Sequence, residues 1–206
     1  MLSKILLLLL ISITLNANEK MNQETNLFEL PSGCDFSKVG NNHTMKTDCS
    51  PVLKDPYFSE FTGLLINSAK EYIWPKNDSI ENYQSLPNGG NNSPLKFTIS
   101  GLAKIPDSTL DFDGDVSYEI LVVAVDQKTA KAYSSKMIKN GRPGTKPIGT
   151  LSKNNLTHDF IRKHYFNVDL VSNAGLPISE AVYTVYAMIG EYKSNVLTVT
   201  TKFKND

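Results

Sequence analysis

The sequence predicts a mainly β protein: an antiparallel β-sandwich preceded by a small unit that carries a disulfide and one helix. Three observations lead there. Tyr183, Val185, Ala187 and Ile189 alternate with Thr184, Tyr186 and Met188, the period-two pattern of a strand with one buried face. Further strand-like runs recur along 95–206, separated by turn-rich segments. The only two cysteines, Cys34 and Cys49, are close enough in sequence to close one short loop.

The chain opens with Lys4, the apolar stretch 5–13 and the segment Leu15-Asn16-Ala17, the order of a secretory signal, with cleavage expected after Ala17. The apolar part falls short of the roughly 20 residues that span a bilayer. An N-terminal anchor is the alternative, since Leu15 is larger than the residue usual two before a cleavage site. No cysteine lies at that site, which argues against a lipid-anchored precursor. Residues 18–27 are polar and read as a flexible leader. No later segment offers about 18 uninterrupted apolar residues, so no membrane insertion is expected once the signal is removed.

Lys and Arg number 21, as do Asp and Glu, and loss of Lys4 leaves a charge near minus one. Phosphate binding needs clustered cations, so nucleic acid is not an expected partner. In an exported chain the pair Cys34 and Cys49 reads as a disulfide, which in the chain-entropy model contributes about 3 kcal/mol. The rival is a redox-active or nucleophilic cysteine, but no C-x-x-C accompanies it.

Residues 28–84 form the expected N-terminal unit. Phe58, Phe61, Leu65, Ala69 and Tyr72 recur at helical spacing, with Asp55 as a cap, Pro56 in the first turn and Pro75 as the stop. Residues 85–94, SLPNGGNNSP, have linker composition and mark the boundary, or else the tip of a long hairpin turning at Asn88-Gly89. From there to 206 the strands expected are 96–105, 116–125, 131–137, 164–171, 181–189 and 195–203, with a hairpin across 126–129. A Gly/Pro-rich loop covers 140–149, and a short helix capped by Thr157 is expected near 158–163.

Leu176-Pro177, Tyr183, Val185, Ala187, Gly190, Ser194 and the closing Val199-Thr200-Thr201 resemble the last two strands of a fibronectin type III or related immunoglobulin-like domain. The resemblance covers about 26 residues. It implies an immunoglobulin-like sandwich in which Tyr183 is the corner tyrosine, its hydroxyl bonding back to the preceding loop. A plain core aromatic is the other reading of Tyr183. The chain departs from the family in that its one tryptophan, Trp74, lies outside the matching strands. The Cys34 to Cys49 spacing is also far shorter than that of the disulfide joining the two sheets of antibody domains.

Catalytic and metal motifs are missing from the sequence. His43, His158 and His164 have no zinc spacing, and no nucleophile elbow, phosphate loop or dinucleotide fingerprint occurs. Asp111, Asp113 and Asp115 are the nearest approach to a calcium site. The EF-hand pattern fails at Val116 and Val122, and Asp113-Gly114 serves equally as a turn before a strand. No cofactor or metal is therefore expected. Sequons at Asn42, Asn77 and Asn155 would accept glycans in a eukaryotic secretory route.

The expected function is that of an exported, non-enzymatic binding protein whose partner is another protein, engaged through loops such as 139–153 or a sheet edge. An envelope inhibitor or immunity protein, or an adhesion or signalling protein outside the cell, fits that description. The alternatives are carbohydrate binding through Tyr186 and Tyr192, and a small secreted hydrolase built on His158 or His164.

Overall fold

The computed structural model describes residues 27–40, 44–55, 61–75, 95–106, 119–136 and 161–204. The expected signal, nearly all of the leader, the 85–94 boundary, the 139–153 loop, Asp111, Asp113, Asp115, His43, His158 and the three sequon asparagines lie outside these residues.

Eleven strands run in chain order among the described residues: β1 (Phe28–Glu29), β2 (Val52–Leu53), β3 (Gly63–Asn67), β4 (Glu71–Trp74), β5 (Thr98–Pro106), β6 (Leu121–Asp126), β7 (Ala132–Lys136), β8 (Ile161–Asp169), β9 (Ala181–Ile189), β10 (Tyr192–Lys193) and β11 (Leu197–Phe203). One 3-10 turn covers Phe36–Lys38, and one short helix, α1, covers Leu170–Ala174. The smaller sheet has the order β3-β5-β8, and the larger has β4-β11-β9-β6-β7 with β10 paired to β9. All pairs are antiparallel except β4 with β11.

The two sheets enclose a common apolar core. Ile66, Phe97, Ile99, Phe166 and Val168 enter it from the side of the smaller sheet, and Trp74, Val122, Tyr183, Val185 and Val199 from the larger. The alternation that predicts β9 is realised along its length: Tyr183, Val185, Ala187 and Ile189 are buried, while Val182, Thr184, Tyr186 and Met188 are not. Gly101 of β5 lies opposite Phe166 of β8. A Cβ on Gly101 would come within 1.9 Å of that ring, so glycine is what allows the buried phenyl to lie across the strand.

Two consecutive strands near the start of the described chain, β3 and β4, lie in different sheets. β3 lies beside β5 in one sheet, the chain crosses at Ser68–Lys70, and β4 runs parallel to β11 in the other. Asn195 spans the gap, its amide accepting from Ile66 N at 2.8 Å and donating to Ile66 O at 3.0 Å. This bond pair occupies the edge of β3 that faces away from β5.

Two expectations need correction. The helix expected over Phe58 to Tyr72 is replaced, among its described residues, by strands at 63–67 and 71–74, while Pro56 and Phe58 lie outside the described residues. Leu64, Leu65 and Ile66 are all buried because β3 is covered on both faces, and a strand covered on both faces can carry consecutive apolar residues without alternation. Such a run satisfies helical spacing by accident. β3 and β4 are therefore integral to the sandwich, and Trp74, assigned to a separate N-terminal unit, is 1% exposed in the shared core. The helix near 158–163 gives way to β8, which begins at Ile161. Among the described residues the α-helix is α1, capped by Asp169, whose carboxylate accepts from Val171 N at 3.1 Å. It ends at Gly175, whose φ of 62 is the left-handed conformation that closes helices.

Candidate functional site

Each sheet has an outer face, and the two differ in what lies on them. No described element packs on the outer face of the larger sheet. β9 contributes Val182, Thr184, Tyr186 and Met188 there, and their register partners on β6 are Val125, Val123 and Leu121 opposite Thr184, Tyr186 and Met188. Val182 and, on β4, Ile73 are exposed large apolar side chains. Charges lie at the borders: Lys202 pairs with Glu71 at 2.8 Å on one side and Lys136 with Glu119 at 3.7 Å on the other. Near the centre, the Lys193 ammonium stands 4.4 Å from the centroid of the Tyr186 ring. The face therefore combines an apolar and aromatic middle with a charged rim.

The outer face of the smaller sheet is covered by residues 27–40 and 44–55. Cys34 and Cys49 are joined in a disulfide, with their Cα atoms 5.4 Å apart. Around that bond, Phe36 and Val39 pack with Ala69 and Tyr72, and Leu53 packs with Leu65 and Leu102 nearby. Between these patches lies a polar layer. Asn67 Nδ2 donates to Pro31 O at 2.9 Å and to Cys49 O at 3.0 Å. Asn167 Nδ2 donates to Met45 O at 2.9 Å and its Oδ1 accepts from Ser100 Oγ at 2.8 Å. Lys96 Nζ donates to Ser37 O at 3.1 Å and Val39 O at 3.3 Å. Asn67, Ser100, Asn167 and Lys96 are all buried.

Tyr183 is fully buried, with its ring edge-on to Phe97 and Tyr133 at centroid distances of 5.6 and 6.2 Å. Burial raises its phenol above the ordinary tyrosine value, and the Ser179 side chain pulls the other way. Ser179 lies close to that hydroxyl, but no partner reaches full hydrogen-bonding geometry at the oxygen. The corner bond expected of Tyr183 is absent. The loop before β9 is fastened from other strands: Ser179 O accepts from Trp74 Nε1 at 3.2 Å and from Thr201 Oγ1 at 2.6 Å.

Of the two tyrosines expected to share one sheet face, only Tyr186 is on the outer side. Tyr192 lies opposite Ile189 in the β9-β10 pair and packs against the core. His164 lies within β8, opposite Ala103. Among the described residues no three His, Cys, Asp or Glu side chains come together as a metal site, and no helix is long and apolar enough to cross a membrane. Asn67, Lys96 and Asn167 were not legible as site residues, because alternation marks which face a side chain takes and not whether that face is covered. No family model, curated protein or solved structure matches the chain.

Proposed function

We propose that the chain is an exported, non-enzymatic binding protein that engages another protein through the outer face of its larger sheet. The observation that carries this reading is the exposed Val182 with the half-buried Tyr186, Met188 and Leu121 around the buried Val123, an apolar middle with ion pairs at its borders and no described element upon it. Aromatic and methionine side chains inside a charged rim are the anatomy of a protein interface. The disulfide fits an oxidising compartment, and the signal expected over residues 1–17 agrees with a periplasmic or extracellular site of action. In a bacterial envelope the role is that of an inhibitor or immunity protein; outside a cell it is adhesion or signalling.

Carbohydrate binding draws less support, since Tyr192 faces inward and Lys193 occupies one side of the Tyr186 ring. The test is quantitative affinity capture from the native compartment with wild type and Tyr186→Asp. A stoichiometric protein retained by wild type and lost by the variant supports the reading. Identical recoveries from both, or no stoichiometric protein at all, overturn it.

A further inference from the structure

One lysine on the outer face of the larger sheet is held in place by its neighbours in the chain. Before it, Tyr192 packs against the main core. After it, Ser194 N donates to Ala187 O at 2.9 Å while Ser194 Oγ accepts from Ala187 N at 2.8 Å. Asn195 is bound through its amide to both main-chain groups of Ile66 in the other sheet. Lys193 lies between these anchors, opposite Met188 in the β9-β10 pair and on the outer side with Tyr186. Its backbone is thereby fixed, and its exposed side chain lies over the Tyr186 ring, 4.4 Å from the centroid.

The charge around Lys193 differs from that around the lysines at the borders of the face. Lys202 is neutralised by Glu71 and Lys136 by Glu119. Among the described residues no carboxylate reaches ion-pair distance of Lys193, Glu191 in the preceding turn included, and an aromatic ring stands in that place. On the side away from the ring, water hydrates the ammonium. A partner laid over Val182, Tyr186 and Met188 strips that water, and a cation desolvated without a counter-charge opposes docking. A carboxylate supplied by the partner restores the balance where water is thinned and the pair is stronger than at an open surface.

Resting on the reading of this face as a protein interface, we propose that its partner presents an Asp or Glu side chain set among apolar residues, whose carboxylate docks on Lys193 beside the Tyr186 ring. The partner's apolar groups then meet Val182, Met188 and Leu121. The ion pair fixes the register of the contact and rejects proteins that carry a cation at the same point. Glu71 and Glu119 of a second copy are already engaged by lysines, so a different protein, not self-association, supplies the carboxylate.

The test selects phage-displayed random peptides on the full chain and titrates the enriched peptides against wild type, Lys193→Glu, Lys193→Met and Tyr186→Asp. Lys193 is exposed, so its variants are expected to keep the fold, which thermal unfolding checks. The peptides expected carry Asp or Glu beside apolar residues and lose affinity at least about tenfold on Lys193→Glu, and less on Lys193→Met. Replacing the acidic residue of the peptide by Lys is expected to restore binding to Lys193→Glu and to abolish binding to wild type. Peptides lost with Tyr186→Asp but bound as tightly by Lys193→Glu as by wild type overturn this proposal and leave the interface reading standing. No enrichment, or enriched peptides indifferent to Tyr186→Asp, overturn both. Self-association of the wild-type chain in sedimentation, lost in Tyr186→Asp, overturns the proposal in favour of a second copy.

Discussion

On the smaller sheet the outward-facing Asn67, Ser100 and Asn167 are buried beneath the disulfide segment, whereas on the larger sheet Thr198 is exposed and Thr184 and Thr200 are half-buried. Both sets occupy the outward positions of alternating strands, and both are polar. What differs is the neighbour. Under the segment, an amide must find a carbonyl or lose its hydration uncompensated, and Asn67 finds two. On the larger sheet, where no described element packs, an exposed hydroxyl such as that of Thr198 can be served by water, so its identity is nearly free. The same alternation therefore yields a high-stakes polar layer on one side and a tolerant surface on the other.

That contrast can be broken by paired substitutions. The largest effect is expected at Leu102, fully buried between Leu53 and Leu65. Leu102→Ala should cost about 3 kcal/mol in chemical denaturation, while Val182→Ala on the open face should cost well under about 1 kcal/mol. Similar losses at the two positions would mean that the larger sheet is covered too.

Asn67→Ala comes next. It strands the carbonyls of Pro31 and Cys49 and should cost about 2 kcal/mol, against a change within about 0.5 kcal/mol for Thr198→Ala. A neutral Asn67→Ala, measured the same way, would show that the polar layer adds nothing to stability.

Tyr183 sharpens the comparison from the inner side of the larger sheet. Its hydroxyl is buried without a protein partner, so Tyr183→Phe is expected to leave stability within about 0.5 kcal/mol or raise it slightly. A loss above about 1 kcal/mol would restore the corner bond that the geometry lacks.

The smallest effect concerns the β6-β7 hairpin, beside the open face. Asp126 accepts from Thr129 Oγ1 at 2.8 Å, Lys128 N at 2.8 Å and Thr129 N at 3.3 Å. These bonds, the Thr129 hydroxyl foremost, hold its carboxyl below the ordinary aspartate value. A carboxyl whose folded pKa is depressed contributes stability above the unfolded value and loses it as pH falls through the lowered one. Hairpin amide exchange should therefore accelerate in wild type only below the usual carboxylate range, and Asp126→Asn should flatten that dependence. An unchanged acid profile in the variant would remove Asp126 as its source.

Much of the fold was legible before any coordinates. The strand 181–189 is found with its expected bounds, the hairpin across 126–129 forms, and Cys34 and Cys49 pair. These features rest on alternation, turn residues and an isolated cysteine pair, all of them local or nearly so. β3 was misread because Leu64, Leu65 and Ile66 are apolar on both faces, and only its neighbours reveal why. The cap of α1 was present in the sequence as Asp169 three residues before Ser172 and six before Gly175, but the strand expected over 164–171 ran across it.

By itself the sequence determined the mainly β class, the side to which each residue of β9 points, and the means of cross-linking 34 to 49. Those properties follow from backbone periodicity and from residue chemistry within a few positions. Only the tertiary structure decided which outward face is covered, that Trp74 belongs to the shared core, and that Asn67, Lys96 and Asn167 bind carbonyls far away in the chain. The physical reason is that burial of a strand's outer face depends on what packs against it from elsewhere in the chain, and no local pattern encodes that neighbour.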